Sequence, residues 1–162
     1  MISLSKEKYQ IVLFLVSTLA LFVAYFIQYI LGYQPCNLCN IERVPYALTL
    51  IVLLLNYKFK DNQNFYSILL LIIFSFSLLL SIYHLGIEQG LVAESNLCIS
   101  VDKSSIISKE AILNSLKQFT VSCKDVALKI FGLSLTTYNI FLSLIMLLIS
   151  FKIYLINNEI KK

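Results

Sequence analysis

Pro35-Cys36-Asn37-Leu38-Cys39-Asn40-Ile41-Glu42-Arg43 runs directly into Val44-Pro45-Tyr46-Ala47-Leu48-Thr49-Leu50-Ile51-Val52-Leu53-Leu54-Leu55. The first part holds two of the four cysteines, one of the two prolines and the only arginine. The apolar part, Val44 to Leu55, rises only about 18 Å as a helix at 1.5 Å per residue. A bilayer's hydrocarbon core is about 30 Å thick. To cross it, the helix must take in residues on both sides, from near Cys39 to near Tyr57. Cys39 and Arg43 then lie at the edge of the lipid, within reach of a lipid-soluble molecule. Pro45 is harmless in a first helical turn and disruptive in an interior one. Either the regular helix begins near Glu42 or it kinks there, and the sequence leaves both open.

The rest of the chain supports a membrane reading. Hydrophobic residues make up 59% and charged residues 14%, against about 45–50% and about 25% in soluble domains. The net charge of +4 is modest and gives no reason to expect nucleic acid. Three further runs approach the roughly 20 apolar residues a spanning helix needs. The spans fall at approximately 11–31, 41–57, 65–85 and 133–156, leaving outer loops at 32–40 and 86–132. The first run follows Lys6 and Lys8 like a signal peptide, but it is too long and no small-x-small site follows, so it reads as an uncleaved span. The expectation is an all-α membrane protein, a four-transmembrane-helix bundle forming a single domain over 1–162.

Lysines in short loops orient such a bundle. Lys6 and Lys8, Lys58 and Lys60, and Lys152, Lys161 and Lys162 all fall on one side. Both termini are therefore expected in the cytoplasm, which puts all four cysteines outside, where disulfides form and persist. In the long outer loop, Ile112, Leu113, Leu116 and Phe119 share one helical face behind a capping Ser108. A short helix lying flat in the membrane interface is expected there. Ser134 or Thr136 is placed to cap the last span.

Two thiols separated by two residues can close a disulfide and reopen it. A helix N-terminus favours the thiolate, because its unsatisfied N–H groups point at the sulfur. If the helix is regular from Cys39, Arg43 sits on the same face one turn later, and its charge would stabilise a Cys39 thiolate. Zinc sites usually pair two Cys-x-x-Cys motifs. Here Cys98 and Cys123 are far apart in sequence, so no metal site is expected. Two static disulfides are a fairer rival, but closing so short a loop gains little entropy. His84, the only histidine, ends the third span at the same expected depth as Arg43, with Glu88 one turn beyond.

These features together resemble disulfide bond formation protein B, a bacterial inner-membrane oxidant of periplasmic thiol oxidases. The resemblance rests on four spans, Pro35-Cys36-x-x-Cys39-x-x-Glu42-Arg43 after the first, and the His84 stretch ending the third. It rests also on Cys98 and Cys123 in the long loop and on Phe131-Gly132-Leu133-Ser134-Leu135 before the fourth. It implies a protein-disulfide:quinone oxidoreductase with pairs Cys36–Cys39 and Cys98–Cys123. The implied partner is a DsbA-like thioredoxin-fold protein of the periplasm, and the implied acceptor is ubiquinone or menaquinone in the lipid bilayer. That relay is established for the family. The partner's thiolate would attack Cys98, Cys123 would exchange with Cys36, and Cys39 would face the quinone beside Arg43. His84 and Glu88 match positions lining the quinone region, although some members are expected to carry glutamine where Glu88 stands. Two rivals remain: a quinone-linked thiol enzyme of the vitamin K epoxide reductase kind, whose Cys-x-x-Cys belongs near the chain's end, and a four-span scaffold with structural disulfides.

Overall fold

The computed structural model describes residues 2–59, 62–93, 98, 122–124, 128–130 and 132–161. The elements are α1 (Ile2–Tyr29), α2 (Asn37–Ile41), α3 (Val44–Lys58), α4 (Gln63–Glu88), β1 (Lys129–Ile130), β2 (Leu133–Ser134) and α5 (Leu135–Lys161). Among the described residues, four helical stretches are apolar and long enough to cross a membrane: Lys6–Tyr29, Asn37–Lys58, Gln63–Glu88 and Leu135–Glu159. The shortest, Asn37–Lys58, takes in α2, the turn at Glu42–Arg43 and α3, 22 residues in all, whereas α3 alone has 15 residues and rises only about 22 Å. It spans only because α2 is added to the apolar run. The interfacial helix expected around 108–119 lies outside the described residues.

The bundle is held by a buried stripe along α4. Ser67, Leu70, Phe74, Ser77, Ser81 and His84 recur at intervals of three and four and are all buried. Residues between them, such as Ile68, Ile72, Phe76 and Leu79, are exposed. This is the expected inversion for a helix whose outer face meets lipid rather than water. Small hydroxyl residues let α4 and α5 approach closely and bond across the seam. Ser77 and Ser143 share a hydrogen bond of 2.9 Å, and Asn139 donates to Ser81 at 2.8 Å. Lower down, Asn157 donates to Ser67 at 2.5 Å. Leu13 of α1, Tyr46, Val52 and Leu53 of α3, and Met146 and Ile153 of α5 complete the apolar core.

Polar contacts identify which helix ends meet. Lys6 donates to Gln63, and Asn64 donates to Asn158. The start of α1, the start of α4 and the end of α5 therefore share one end of the bundle. The cysteines gather at the other end. There α4 stops in a two-bond glycine cap: Gly90 N–H donates to Ile87 O at 3.0 Å and Leu91 N–H to Gly86 O at 2.9 Å. Gly90 takes the positive φ of +74° that this cap requires. Before α5 the chain makes a small antiparallel hairpin, Lys129 opposite Ser134 and Ile130 opposite Leu133, which the sequence reading did not anticipate. Ser134 caps α5, its Oγ accepting the Thr137 N–H at 3.3 Å.

Candidate functional site

Cys36 is the N-cap of α2. Its backbone is extended (φ −69°, ψ 168°) and its Sγ accepts the Cys39 N–H at 3.1 Å. The Cys-x-x-Cys spacing makes this possible, because an N-cap side chain reaches the N–H three residues on. The Cys39 thiol hydrogen bond holds the Cys36 thiol below its ordinary value, with burial opposing and the Cys39 N–H adding to the lowering. Cys36 and Cys39 are free thiols here rather than the disulfide the resemblance implies. In the reduced pair the Cys36 sulfur takes the helix N–H instead of a second sulfur.

The helix does not run regularly from Cys39 to Arg43. Pro45 has no N–H to give Ile41 O, and its ring crowds that carbonyl. So α2 ends at Ile41, Glu42 N–H turns back to Leu38 O at 2.9 Å, and α3 restarts with Pro45 in its first turn. Two consequences follow. Arg43 turns to α1, where Nη1 donates to Gln28 Oε1 at 2.5 Å and the guanidinium lies 5.0 Å from the Tyr25 ring centroid. The regular-helix alignment of Arg43 with Cys39 is therefore replaced, and the contacts that favour a thiolate converge on Cys36. Glu42, meanwhile, turns inward and is 7% exposed.

Inside, Glu42 meets His84. His84 Nδ1 lies 3.1 Å from Glu42 Oε1, and its Nε2 lies 3.5 Å from Cys36 Sγ. With the Nδ1 proton given to the carboxylate, Nε2 is left with its lone pair towards the thiol. His84 is 1% exposed, so the contact is shielded from bulk solvent. Thr136 of α5 donates to Glu88 Oε1 at 2.5 Å, and Glu88 in turn stands 4.0 Å from His84 Nε2. Thr136 thus serves this polar cluster, while the capping it was considered for falls to Ser134.

Cys98 and Cys123 are joined in a disulfide, with Cα atoms 5.4 Å apart. Both are buried in one apolar cluster with Cys36, Leu38 and Ile87, against which Cys39 packs. Residues separated by up to 87 positions therefore meet at one end of the bundle. A cavity of about 80 Å³ lies among them, lined by Cys36, Cys39, His84, Glu88 and Cys123.

A second cavity, of about 350 Å³, opens between α1, α3 and α5. Its walls are apolar, with Leu19, Val23 and Ile27 from α1 and Leu135 and Leu142 from α5. Its polar lining includes Cys39, Glu42, Arg43, Tyr46, Thr136 and Asn139. Tyr46 donates to Asn139 Oδ1. Of the three residues the resemblance assigns to an acceptor, Arg43 lines this groove, whereas His84 and Glu88 line the smaller cavity. Cys39 borders both. Glu42, Tyr46, Asn139 and Thr136 were not assigned a role there from sequence. The one available signal was the stripe through His84, which marks the face on which α4 meets its partners.

A family model described as "Disulfide bond formation protein DsbB" matches residues 6–153. An uncharacterized protein of Rickettsia prowazekii (strain Madrid E) is 33% identical over 153 residues, covering 90% of this chain and 87% of that protein. No solved structure matches.

Proposed function

The chain belongs to the DsbB family of membrane disulfide bond formation proteins, and on that premise we propose that it reoxidises a DsbA-like thioredoxin-fold partner and passes the electrons to a membrane quinone. The carrying observation is the position of Cys39, which borders both the cavity facing Cys123 and the groove between α1, α3 and α5. The orientation that follows is the lysine-derived one: a bacterial inner membrane, cysteines periplasmic, termini cytoplasmic.

The sulfur chemistry balances over four thiol–disulfide displacements. The partner's thiolate attacks Cys98, forming a mixed disulfide and releasing Cys123 as a thiolate. Cys123 attacks Cys36 of the closed Cys36–Cys39 pair, releasing Cys39. The partner's second thiol then displaces Cys98 and leaves oxidised, and Cys98 reforms its disulfide with Cys123 by displacing Cys36. The chain is left with Cys36 and Cys39 reduced, holding the two electrons the partner brought. His84 Nε2 is positioned to hold the Cys36 proton, with Glu42 supporting the ring from Nδ1.

The size and lining of the groove support the quinone reading. Ligand sites commonly occupy about 300–1,000 Å³ with apolar walls and a few converging polar groups, and this one has both. A ubiquinone or menaquinone bound there supplies a sink for two electrons and two protons. Arg43, anchored on Gln28 and Tyr25, would hold the ring near Cys39, and Asn139, which gives one Nδ2 hydrogen to Ser81, has a second for a ring oxygen. The test is turnover of the purified protein with a reduced DsbA-like partner, followed by quinone absorbance. The reading requires oxidation of one partner dithiol per quinone reduced. Quinone loss that continues at the same rate in a Cys39→Ser variant would contradict it.

A further inference from the structure

We propose that the reduced Cys36–Cys39 pair and His84 form a binding site for zinc(II), and that the metal locks the pair in its dithiol state. Spacing argued against a metal because it supplies only two ligands. The fold brings the third from 45 residues beyond Cys39, on another helix. Cys36 Sγ, Cys39 Sγ and the His84 ring nitrogen all lie within 4.8 Å of one another.

One edge of the ligand triangle already has the length the ion requires, and the others must close to it from at most 4.8 Å. Zinc–sulfur bonds of about 2.3 Å and zinc–nitrogen bonds of about 2.0–2.1 Å at tetrahedral angles set S···N edges of about 3.5 Å and S···S edges of about 3.8 Å. The Cys36 Sγ to His84 Nε2 distance is 3.5 Å. Two thiolates and one imidazole are a donor set that favours zinc over hard cations. The surroundings also match. Metal-bound histidines usually give their other N–H to a carboxylate, which fixes the ring and the lone pair. Here Glu42 Oε1 takes that position, 3.1 Å from Nδ1. All three ligands and Glu88 line the cavity of about 80 Å³, which leaves room for a water as the fourth ligand.

Binding involves no electron transfer. One zinc(II) replaces the two thiol protons, which are released, and takes the Nε2 lone pair. A closed Cys36–Cys39 disulfide offers no thiolate, so metal and disulfide exclude each other. Zinc therefore draws the pair towards the dithiol and blocks its reoxidation. This inference concerns only the reduced chain and stands apart from the quinone reading.

The experiment uses the full chain carrying Cys98→Ser and Cys123→Ser, reduced in detergent with a phosphine and titrated anaerobically with cobalt(II), then zinc(II). The expected result is a sulfur-to-cobalt charge-transfer band saturating at one equivalent and abolished by one equivalent of zinc. Cys39→Ser or His84→Ala should weaken binding at least tenfold. Should either variant fold poorly, oxidising the parent protein provides the control: the band must vanish when Cys36–Cys39 closes and return on reduction. No band in the reduced chain, a band that survives closure, or a folded His84→Ala variant that binds as tightly as the parent would each overturn the proposal. Neither quinone nor partner is present, so failure here leaves the proposed electron route untouched.

Discussion

Replacing Glu42 by glutamine separates two opposing effects of one carboxylate on Cys36. Directly, its negative charge raises the Cys36 thiol, the weaker influence beside the Cys39 hydrogen bond and burial. Indirectly, it supports His84, whose Nδ1 is 3.1 Å away and whose Nε2 faces the sulfur. A hydrogen bond to a charged group contributes about 1.5–3 kcal/mol and a neutral one about 0.5–1.5. The glutamine keeps an oxygen for Nδ1–H but loses the charge, a difference of about 1–1.5 kcal/mol, or roughly five- to thirteenfold. Cys36 alkylation at neutral pH, measured by quenched mass spectrometry in the reduced chain, should slow by that factor. In a His84→Asn background the indirect path is gone, so the same change should leave the rate unaltered or slightly faster. Such a sign change is what a double-mutant cycle isolates. If Glu42→Gln slows alkylation equally with and without His84, the imidazole does not carry the effect and the reasoning fails.

Three further outcomes follow from the same geometry. Cys36 should alkylate with a pH midpoint below that of an ordinary thiol, and Cys39→Ala, which removes the hydrogen bond chiefly responsible, should move the midpoint upward; a profile indifferent to Cys39 would exclude that cause. Arg43→Lys keeps the charge but loses the planar fork to Gln28 and the stacking on Tyr25, so the quinone KM should rise about tenfold while partner disulfide exchange in the absence of quinone stays unchanged. Gly90→Ala forces a side chain into a φ of +74° and should destabilise the chain by about 1 kcal/mol or more, read as a lower thermal midpoint in detergent.

Much of the fold is legible because lipid imposes a length and a composition on each spanning helix. The α4 stripe of Ser67, Leu70, Phe74, Ser77, Ser81 and His84 is readable too, as hydroxyl groups and a histidine recurring on one face of an otherwise apolar helix. Pro45 marks the limit of that reading. Proline permits both a fresh start and a kink, and only tertiary packing selects the break that sends Glu42 inward and Arg43 to α1. Gln28 as Arg43's partner has no local signature, since it lies on the preceding span. The four cysteines and Arg43, His84 and Glu88 were named from the motif and the resemblance. What sequence could not supply was the separation of Arg43, which lines the larger cavity, from His84 and Glu88, which line the smaller one. The hairpin before α5 has no sequence signature, because two-residue strands carry no periodicity.

The most direct test of the electron route is a single turnover without any partner. The Cys98→Ser/Cys123→Ser chain, reduced and freed of reductant, would be mixed rapidly and anaerobically with a short-chain ubiquinone. The account predicts loss of one quinone per chain with closure of Cys36–Cys39, and no loss in the Cys39→Ser variant. Quinone that persists beside a folded, fully reduced pair would contradict it.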